Sequence, residues 1–216
     1  MRHIRRVVKA GFLILAFFVG SASMPQEANA HRPIFTEDKA TGPDTAISIK
    51  DPQISQVVYR EITKDSSKVW LAFEVPKDFK LFVQIGVPAI DRLKDFRPAM
   101  AIVGPGLPDN DPPFTLPKDA GAKVLLTKEV AKPQFFHEHF TNTDSWILRG
   151  ETVVLPKAGR YYLVGYSPDK QTGKLWLSVG KKESFSLEDL KDFPTWTKKI
   201  QAFHEVQSKP SNSSKP

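Results

Sequence analysis

A series of short runs rich in branched and aromatic residues, separated by turn residues, dominates the chain between residues 46 and 179. Such runs at intervals of roughly 8–12 residues are typical of β-sandwiches and β-barrels. Helix-period segments do not alternate with them, which disfavours a parallel α/β sheet. The sequence therefore predicts an all-β fold, an antiparallel β-sandwich, with strands at 46–49, 57–62, 69–75, 81–87, 99–103, 123–126, 135–140, 147–154, 161–166 and 175–179.

Two of these runs alternate strictly between apolar residues and other residues. The odd-numbered residues of 69–75 are apolar and share one face, and Trp70 lies on the other. In 175–179, Leu175, Leu177 and Val179 share a face and Trp176 lies opposite. This two-residue period predicts half-buried strands. Trp70 and Trp176 would then either form an exposed platform for a sugar ring or pack beneath a covering helix.

The first 30 residues have the three parts of a secretory signal peptide. Basic residues stand at the start, an apolar stretch covers 11–19, and Ala28-Asn29-Ala30 matches a cleavage site. The apolar stretch is shorter than the roughly 20 residues that span a membrane. We therefore expect an exported protein, periplasmic or extracellular, whose mature chain begins at His31 and has no transmembrane segment.

The rest of the chain divides by composition. Residues 31–45 are polar, contain two prolines and predict an extended N-terminal leader. The sandwich is expected over 46–185. A C-terminal helical segment is expected over 186–206, where Ser186 can cap a helix with Asp189 three residues later. Residues 207–216 are rich in Ser, Lys and Pro and predict a disordered tail.

Charge and cysteine content exclude several classes of function. The signal segment holds four basic residues and one acid, so it contributes +3 to the formal net charge of +7. The mature chain is only mildly basic, which argues against a nucleic-acid partner. The chain has no cysteine, which excludes disulfides, zinc-thiolate sites and cysteine nucleophiles.

The last predicted hairpin carries a family resemblance. Residues 158–179 have a glycine, an aromatic pair, an aliphatic run, a turn and a second alternating strand. This stretch resembles the final hairpin of bacterial pre-peptidase C-terminal (PPC-like) domains, and 31–55 resembles exported bacterial proteins of uncharacterised function. The resemblance implies a jelly-roll sandwich and a non-catalytic binding or accessory role, and it carries no catalytic residue to this chain.

Histidines give the best-defined candidate ligand set. If cleavage follows Ala30, the α-amino nitrogen and the imidazole of His31 can chelate one metal ion. His137 and His139 form an H-x-H pair in a predicted strand, on one face, with Glu138 on the other. Three nitrogen donors suit Cu(II). The arrangement resembles the histidine brace of lytic polysaccharide monooxygenases and the N-terminal copper site of periplasmic copper carriers.

These observations lead to three ordered hypotheses. The first is a non-catalytic binding or accessory protein that holds copper through His31 with His137, His139 or both. The second is a carbohydrate- or cell-surface-binding module of the PPC-like type, with an extracellular glycan held by Trp70 and Trp176. The third is a copper-dependent oxidative enzyme. No catalytic residue is assigned, because common motifs for hydrolases, metalloproteases and phosphate binding do not occur.

Overall fold

The chain folds into two facing β-sheets with one helix after the last strand. The computed structural model describes residues 31–36 and 39–206, so the predicted signal segment and tail lie outside the described residues. The elements are β1 Arg32–Ile34, β2 Ile47–Ser48, β3 Gln56–Ile62, β4 Lys68–Val75, β5 Phe79–Pro88, β6 Ala99–Gly104, β7 Gly121–Leu125, β8 Gln134–Glu138, β9 Thr143–Leu155, β10 Gly159–Tyr166, β11 Gly173–Val179 and α1 Leu187–Phe203.

Strand order defines the two sheets. Sheet A has the order β1-β3-β11-β5-β9-β8, and sheet B has the order β2-β4-β10-β6-β7. Neighbouring strands pair antiparallel except at one edge of each sheet, where β1 joins β3 and β2 joins β4 in parallel. The prediction of an all-β sandwich with a short C-terminal helix is confirmed.

The main core lies between the sheets and follows the predicted alternation. Val69 and Leu71 of β4 pack in the same buried cluster as Leu175 and Leu177 of β11. Because successive side chains of a strand point to opposite faces, the intervening residues lie on the outer faces of the sheets. Those outer faces are covered by two different segments of the chain.

The outer face of sheet B is covered by the proline-rich segment that follows β6. Phe114 of that segment packs against Trp70, with ring centroids 5.3 Å apart, and Tyr162 packs on the same indole at 5.4 Å. These residues belong to a second buried cluster, separate from the main core. The proline-rich loop is therefore part of the packed structure.

The outer face of sheet A is covered by α1. The helix begins after Ser186, whose hydroxyl accepts a hydrogen bond from the Asp189 N–H while the Asp189 carboxylate accepts one from the Ser186 N–H. The predicted cap is confirmed, and a single helix continues through Pro194. No helix in the described part of the chain is both long enough and apolar enough to cross a membrane.

Candidate functional site

Contacts at both ends hold α1 on sheet A. Near its start, the Asp189 carboxylate forms an ion pair with Arg32 of β1 at 3.0 Å. Burial favours a higher pKa for Asp189, but hydrogen bonds from Ser186 and the Arg32 charge outweigh it and keep the pKa below its usual range. Near the other end, Lys174 of β11 donates to the Phe203 carbonyl at 3.0 Å and to Glu205 at 2.8 Å.

A hydrogen-bond chain joins the sheet to the last turn of the helix. The Trp176 indole N–H donates to Ser145 Oγ at 3.2 Å, and Ser145 Oγ lies 3.0 Å from His204 Nε2. His204 Nδ1 lies 2.8 Å from the Ile200 carbonyl, which can only accept, so Nδ1 carries the proton. Ser145 therefore donates to Nε2. Burial lowers the pKa of His204 and keeps it neutral at physiological pH.

A cavity of about 100 Å³ lies between α1 and sheet A. It is lined mainly by apolar and aromatic side chains, together with one acid and two histidines. Phe140 is largely exposed and also lines the cavity, which therefore reaches the surface there. The lining residues are His31, Pro33, Val57, Tyr59, Phe136, Glu138, Phe140, Thr141, Thr143, Ser145, Trp176, Phe185, Phe193, Trp196, Thr197, Ile200 and His204.

Phe193 lies at the centre of the aromatic rim of the cavity. Its ring centroid is 4.7 Å from that of Phe140, 5.7 Å from that of Phe185 and 5.4 Å from that of Trp196. The first contact joins the β8–β9 turn to the helix, and the second joins the segment before the helix to the helix itself. The rim is thus built from three separate parts of the chain.

Glu138 is the one acid among the lining residues. It ends β8, and its carboxylate accepts a hydrogen bond from the Phe140 N–H at 3.0 Å. Burial raises the pKa of Glu138, while the Phe140 N–H and the nearby His139 and His137 act in the opposite direction. Burial and the charge of Glu138 also raise the pKa of Tyr59, so that phenol stays protonated.

His31 reaches the same cavity from the strand edge. Its Nδ1 lies 2.5 Å from Ser55 Oγ, and burial lowers its pKa to about 4. With His204 also neutral, the cavity contains a carboxylate and no cationic side chain at neutral pH. This leaves Glu138 without a side-chain counter-charge among the described residues that line the cavity.

The three predicted copper ligands do not share one face of the sheet. Phe136 and Glu138 of β8 line the cavity with His31, whereas His137 points to the opposite face. There His137 Nδ1 lies 2.6 Å from Asp144 Oδ1, and its ring is 4.6 Å from that of His139. His139 lies in the turn after β8, whereas the sequence predicted a strand over 135–140.

The described residues contain no group of three or more His, Cys, Asp or Glu side chains that could hold a metal ion. The histidine pair and His31 are therefore two separate features. Copper binding by the mature N-terminus stays a prediction.

The prediction that Trp70 and Trp176 form an exposed sugar platform is wrong, because both rings are buried. Trp70 is 1% exposed and lies beneath the proline-rich loop, and Trp176 is 5% exposed and lies beneath α1. The exposed aromatic pair is instead Phe135 and Trp146, which are 52% and 37% exposed with ring centroids 5.3 Å apart.

Sequence reasoning missed Glu138, Ser145 and His204 as parts of one site. For Glu138 a signal existed: the two-residue period that groups His137 with His139 also groups Phe136 with Glu138. Ser145 and His204 lie 59 positions apart in the chain. No local pattern marks that pair.

No family model matches the chain, and no curated protein is similar to it. Among solved structures, it is similar to the pre-peptidase C-terminal domain of a Bacillus anthracis collagenase, with 14% identity, a TM-score of 0.33, and 64% of this chain and 97% of that chain covered. It is also similar to Salmonella Typhimurium PliG, a periplasmic inhibitor of g-type lysozyme, with 11% identity, a TM-score of 0.30, and 64% and 100% covered.

Proposed function

We propose that this is an exported, non-catalytic binding protein whose site is the cavity beneath α1, and that the site accepts a small alkylammonium group. The group would belong to a free ligand or to a side chain of a larger one. The observation that carries the proposal is the combination of an aromatic lining with one carboxylate that has no side-chain counter-charge among the described lining residues.

The lining provides two attractions for an organic cation. Aromatic ring faces attract ammonium groups, and this is the basis of cages that bind quaternary ammonium ligands. Phe193, Trp196 and Tyr59 are among the rings that line this cavity. The Glu138 carboxylate adds a charge at the same place. A cation would also relieve the cost of keeping that carboxylate partly buried.

The cavity size limits the bound group. An apolar cavity of ~150 Å³ holds benzene, which has six heavy atoms. A cavity of about 100 Å³ therefore accommodates roughly four heavy atoms. A trimethylammonium group has that number, and a protonated primary amine on a short alkyl chain is similar.

Ser145 and His204, two other polar residues of the cavity, have their hydrogen-bonding groups engaged within the protein. Ser145 accepts from Trp176 and donates to His204, and the second nitrogen of His204 donates to the Ile200 carbonyl. In this state Ser145 and His204 fix the position of the helix. This arrangement supports binding rather than chemistry as the role of the site.

The test compares tetramethylammonium with uncharged tert-butyl alcohol by calorimetric or NMR titration. We expect the cation to bind more tightly, and we expect Glu138→Gln to remove that preference, since glutamine keeps the shape and loses the charge. Glu74→Gln is the matched control, because Glu74 is exposed on β4. Equal binding of both probes, or equal effects of the two substitutions, would overturn the proposal.

An aromatic contribution is tested separately. Trp196→Leu keeps an apolar residue at the cavity and removes one ring face. We expect it to weaken tetramethylammonium more than tert-butyl alcohol, because only the cation is attracted by the ring quadrupole. If both probes lose the same affinity, the rings serve only as apolar surface and the cation-cage part of the proposal fails.

Glycan binding is the second candidate function, and we propose it for Phe135 and Trp146 in place of the two buried tryptophans. These exposed rings are in edge-to-face contact at the β8 edge of the sheet, and exposed apolar patches mark binding sites. The test is retention on insoluble cellulose, chitin and peptidoglycan. Release of the protein by Trp146→Ala, but not by Val154→Ala at another exposed apolar position, would support it. Retention on none of the three would contradict it.

A further inference from the structure

A second cavity lies at one end of the sandwich, and it differs in charge from the first. It has a volume of about 340 Å³ and is bordered by the β3–β4 turn, the β10–β11 turn and the proline-rich loop. Each of the two turns connects one sheet to the other. Small-molecule pockets have volumes of roughly 300–1,000 Å³, so the space suits a small organic molecule.

We infer that this cavity, which the three lysines Lys64, Lys68 and Lys170 line without any acid, is a binding site for a small organic anion with an aromatic body. The inference is independent of the function proposed for the helix-covered cavity.

Three lysines give the lining of this cavity its positive charge. Lys64 and Lys68 flank the β3–β4 turn, and Lys170 lies in the β10–β11 turn. None of them forms an ion pair with another residue that the structure describes. Asp65 and Asp169 adjoin two of them in sequence but do not line the cavity. Lysines without ion-pair partners around one cavity favour an anion within it.

The floor of the cavity is apolar and aromatic. Phe114 and Tyr166 both line it, and their ring centroids are 5.3 Å apart in an edge-to-face contact. Ile62 of β3 lies beside them. Burial raises the pKa of Tyr166 to about 12, so its phenol brings no negative charge at neutral pH. A flat apolar body can therefore lie on this floor while its charged group meets the lysines.

Hydrogen-bonding side chains complete the lining. Ser67, Ser167 and Gln171 lie at the mouth, each with groups that can donate to a carboxylate or phosphate oxygen. The helix-covered cavity has the opposite character, since its one charged lining residue at neutral pH is an acid. The two cavities should thus select ligands of opposite charge.

The experiment titrates the protein with benzoate, phenyl phosphate, acetate and benzyl alcohol, followed by NMR shift changes. We expect the two aromatic anions to bind, and both acetate and benzyl alcohol to bind roughly ten-fold more weakly, because each lacks one of the two recognition elements. A preference for one aromatic anion over the other assigns the charged group as carboxylate or phosphate. Equal binding of benzoate and benzyl alcohol would overturn the inference.

The residue test uses two triple variants with the same net charge. We expect Lys64→Gln, Lys68→Gln and Lys170→Gln together to lower benzoate affinity roughly ten-fold and to abolish its dependence on salt. The control changes Lys80, Lys94 and Lys128 to Gln, all of which are exposed and none of which lines the cavity. An equal loss in both variants would show general attraction by surface charge and would refute a localised site. Tetramethylammonium binding should be unchanged by either variant.

Discussion

The indole of Trp176 lies across Gly86 on the neighbouring strand, in space that any larger residue would fill. A Cβ at Gly86 would come within 2.1 Å of Trp176 Cζ2 and within 2.6 Å of the Trp146 carbonyl oxygen. The two residues are direct partners in the β5–β11 register. Because Gly86 has no side chain, the Trp176 indole can lie close to β5, where it lines the helix-covered cavity.

We expect Gly86→Ala to lower the free energy of unfolding by about 1–3 kcal/mol, the usual cost of overpacking. The added methyl must displace the indole or the backbone of β9, and the first would also break the Trp176–Ser145 hydrogen bond. Urea unfolding followed by tryptophan fluorescence measures the resulting loss of stability. The control is Gly42→Ala, where a Cβ would meet nothing within 4 Å. Similar stabilities of the two variants would contradict the close contact.

Ser145 offers a second test of how the helix is held. Its replacement by alanine leaves the Trp176 N–H and His204 Nε2 without their partner in a buried place, which costs about 1–3 kcal/mol. Ser178 is the matched control, because its buried hydroxyl has no hydrogen-bond partner among the described residues. Ser178→Ala should be neutral or stabilising. The comparison is made by urea unfolding. An equal loss of stability in both variants would contradict the hydrogen-bond chain through Ser145.

A double-mutant cycle separates the hydrogen bond from packing. In a Trp176→Phe background one donor to Ser145 is already gone, so Ser145→Ala should cost less than in the parent protein. The expected coupling is about 0.5–3 kcal/mol, the range for contacting residues. Strictly additive effects would show that Trp176 and Ser145 contribute independently.

The sequence predicted most of the fold because the strand period is local. In β4 and β11 the alternation of apolar and other residues is set by the two faces of one strand, so it can be read from the run itself. The Ser186–Asp189 cap is likewise local and was predicted. Strand β1 was missed because it is short, contains Pro33 and exists only by parallel pairing with β3.

The site could be predicted only in part because distant residues build it. Trp176 and Ser145 are 31 positions apart, and Arg32 meets Asp189 from the opposite end of the described chain. Which tryptophans are buried depends on which segment covers each outer face, and alternation does not contain that information. His31 was predicted as a site residue, but its cavity neighbour is Glu138 and not the histidine pair.

The buried imidazole of His31 predicts a specific loss of stability in acid. Its folded pKa is about 4 against an ordinary value of 6.5. The unfolded chain therefore takes up a proton before the folded one does, so stability is full above pH 6.5 and falls toward pH 4. Because solvent partly screens the His31 side chain, which is only partly exposed, we expect a loss of about 1–3 kcal/mol in the free energy of unfolding. His31→Gln should reduce this loss in urea unfolding across that range, and an unchanged pH dependence would contradict the burial effect.

Copper binding gives a prediction about ligands. Cu(II) bound by mature protein that begins at His31 should be insensitive to His137→Ala and His139→Ala. His137 points away from the cavity that His31 enters, and His139 packs against His137 and does not line that cavity. One extra residue before His31 should weaken binding, because it removes the α-amino donor. Calorimetric titration of the parent protein, the two histidine variants and the extended protein decides the matter. A loss of affinity in the His137 or His139 variants would restore the three-nitrogen site.

The raised pKa of Glu138 predicts how the proposed cation site responds to pH. Burial raises this pKa, and the protonated form has no charge to offer a cation. Tetramethylammonium affinity should therefore be full at neutral pH and decline as the pH falls through the Glu138 pKa, beginning above the usual range for a glutamate. By linkage, cation binding should release protons in that interval. Titrations in buffers of different ionisation enthalpy measure the release, and Glu138→Gln should show weak binding with a smaller pH dependence. A decline of equal size in the glutamine variant would place the titrating group elsewhere.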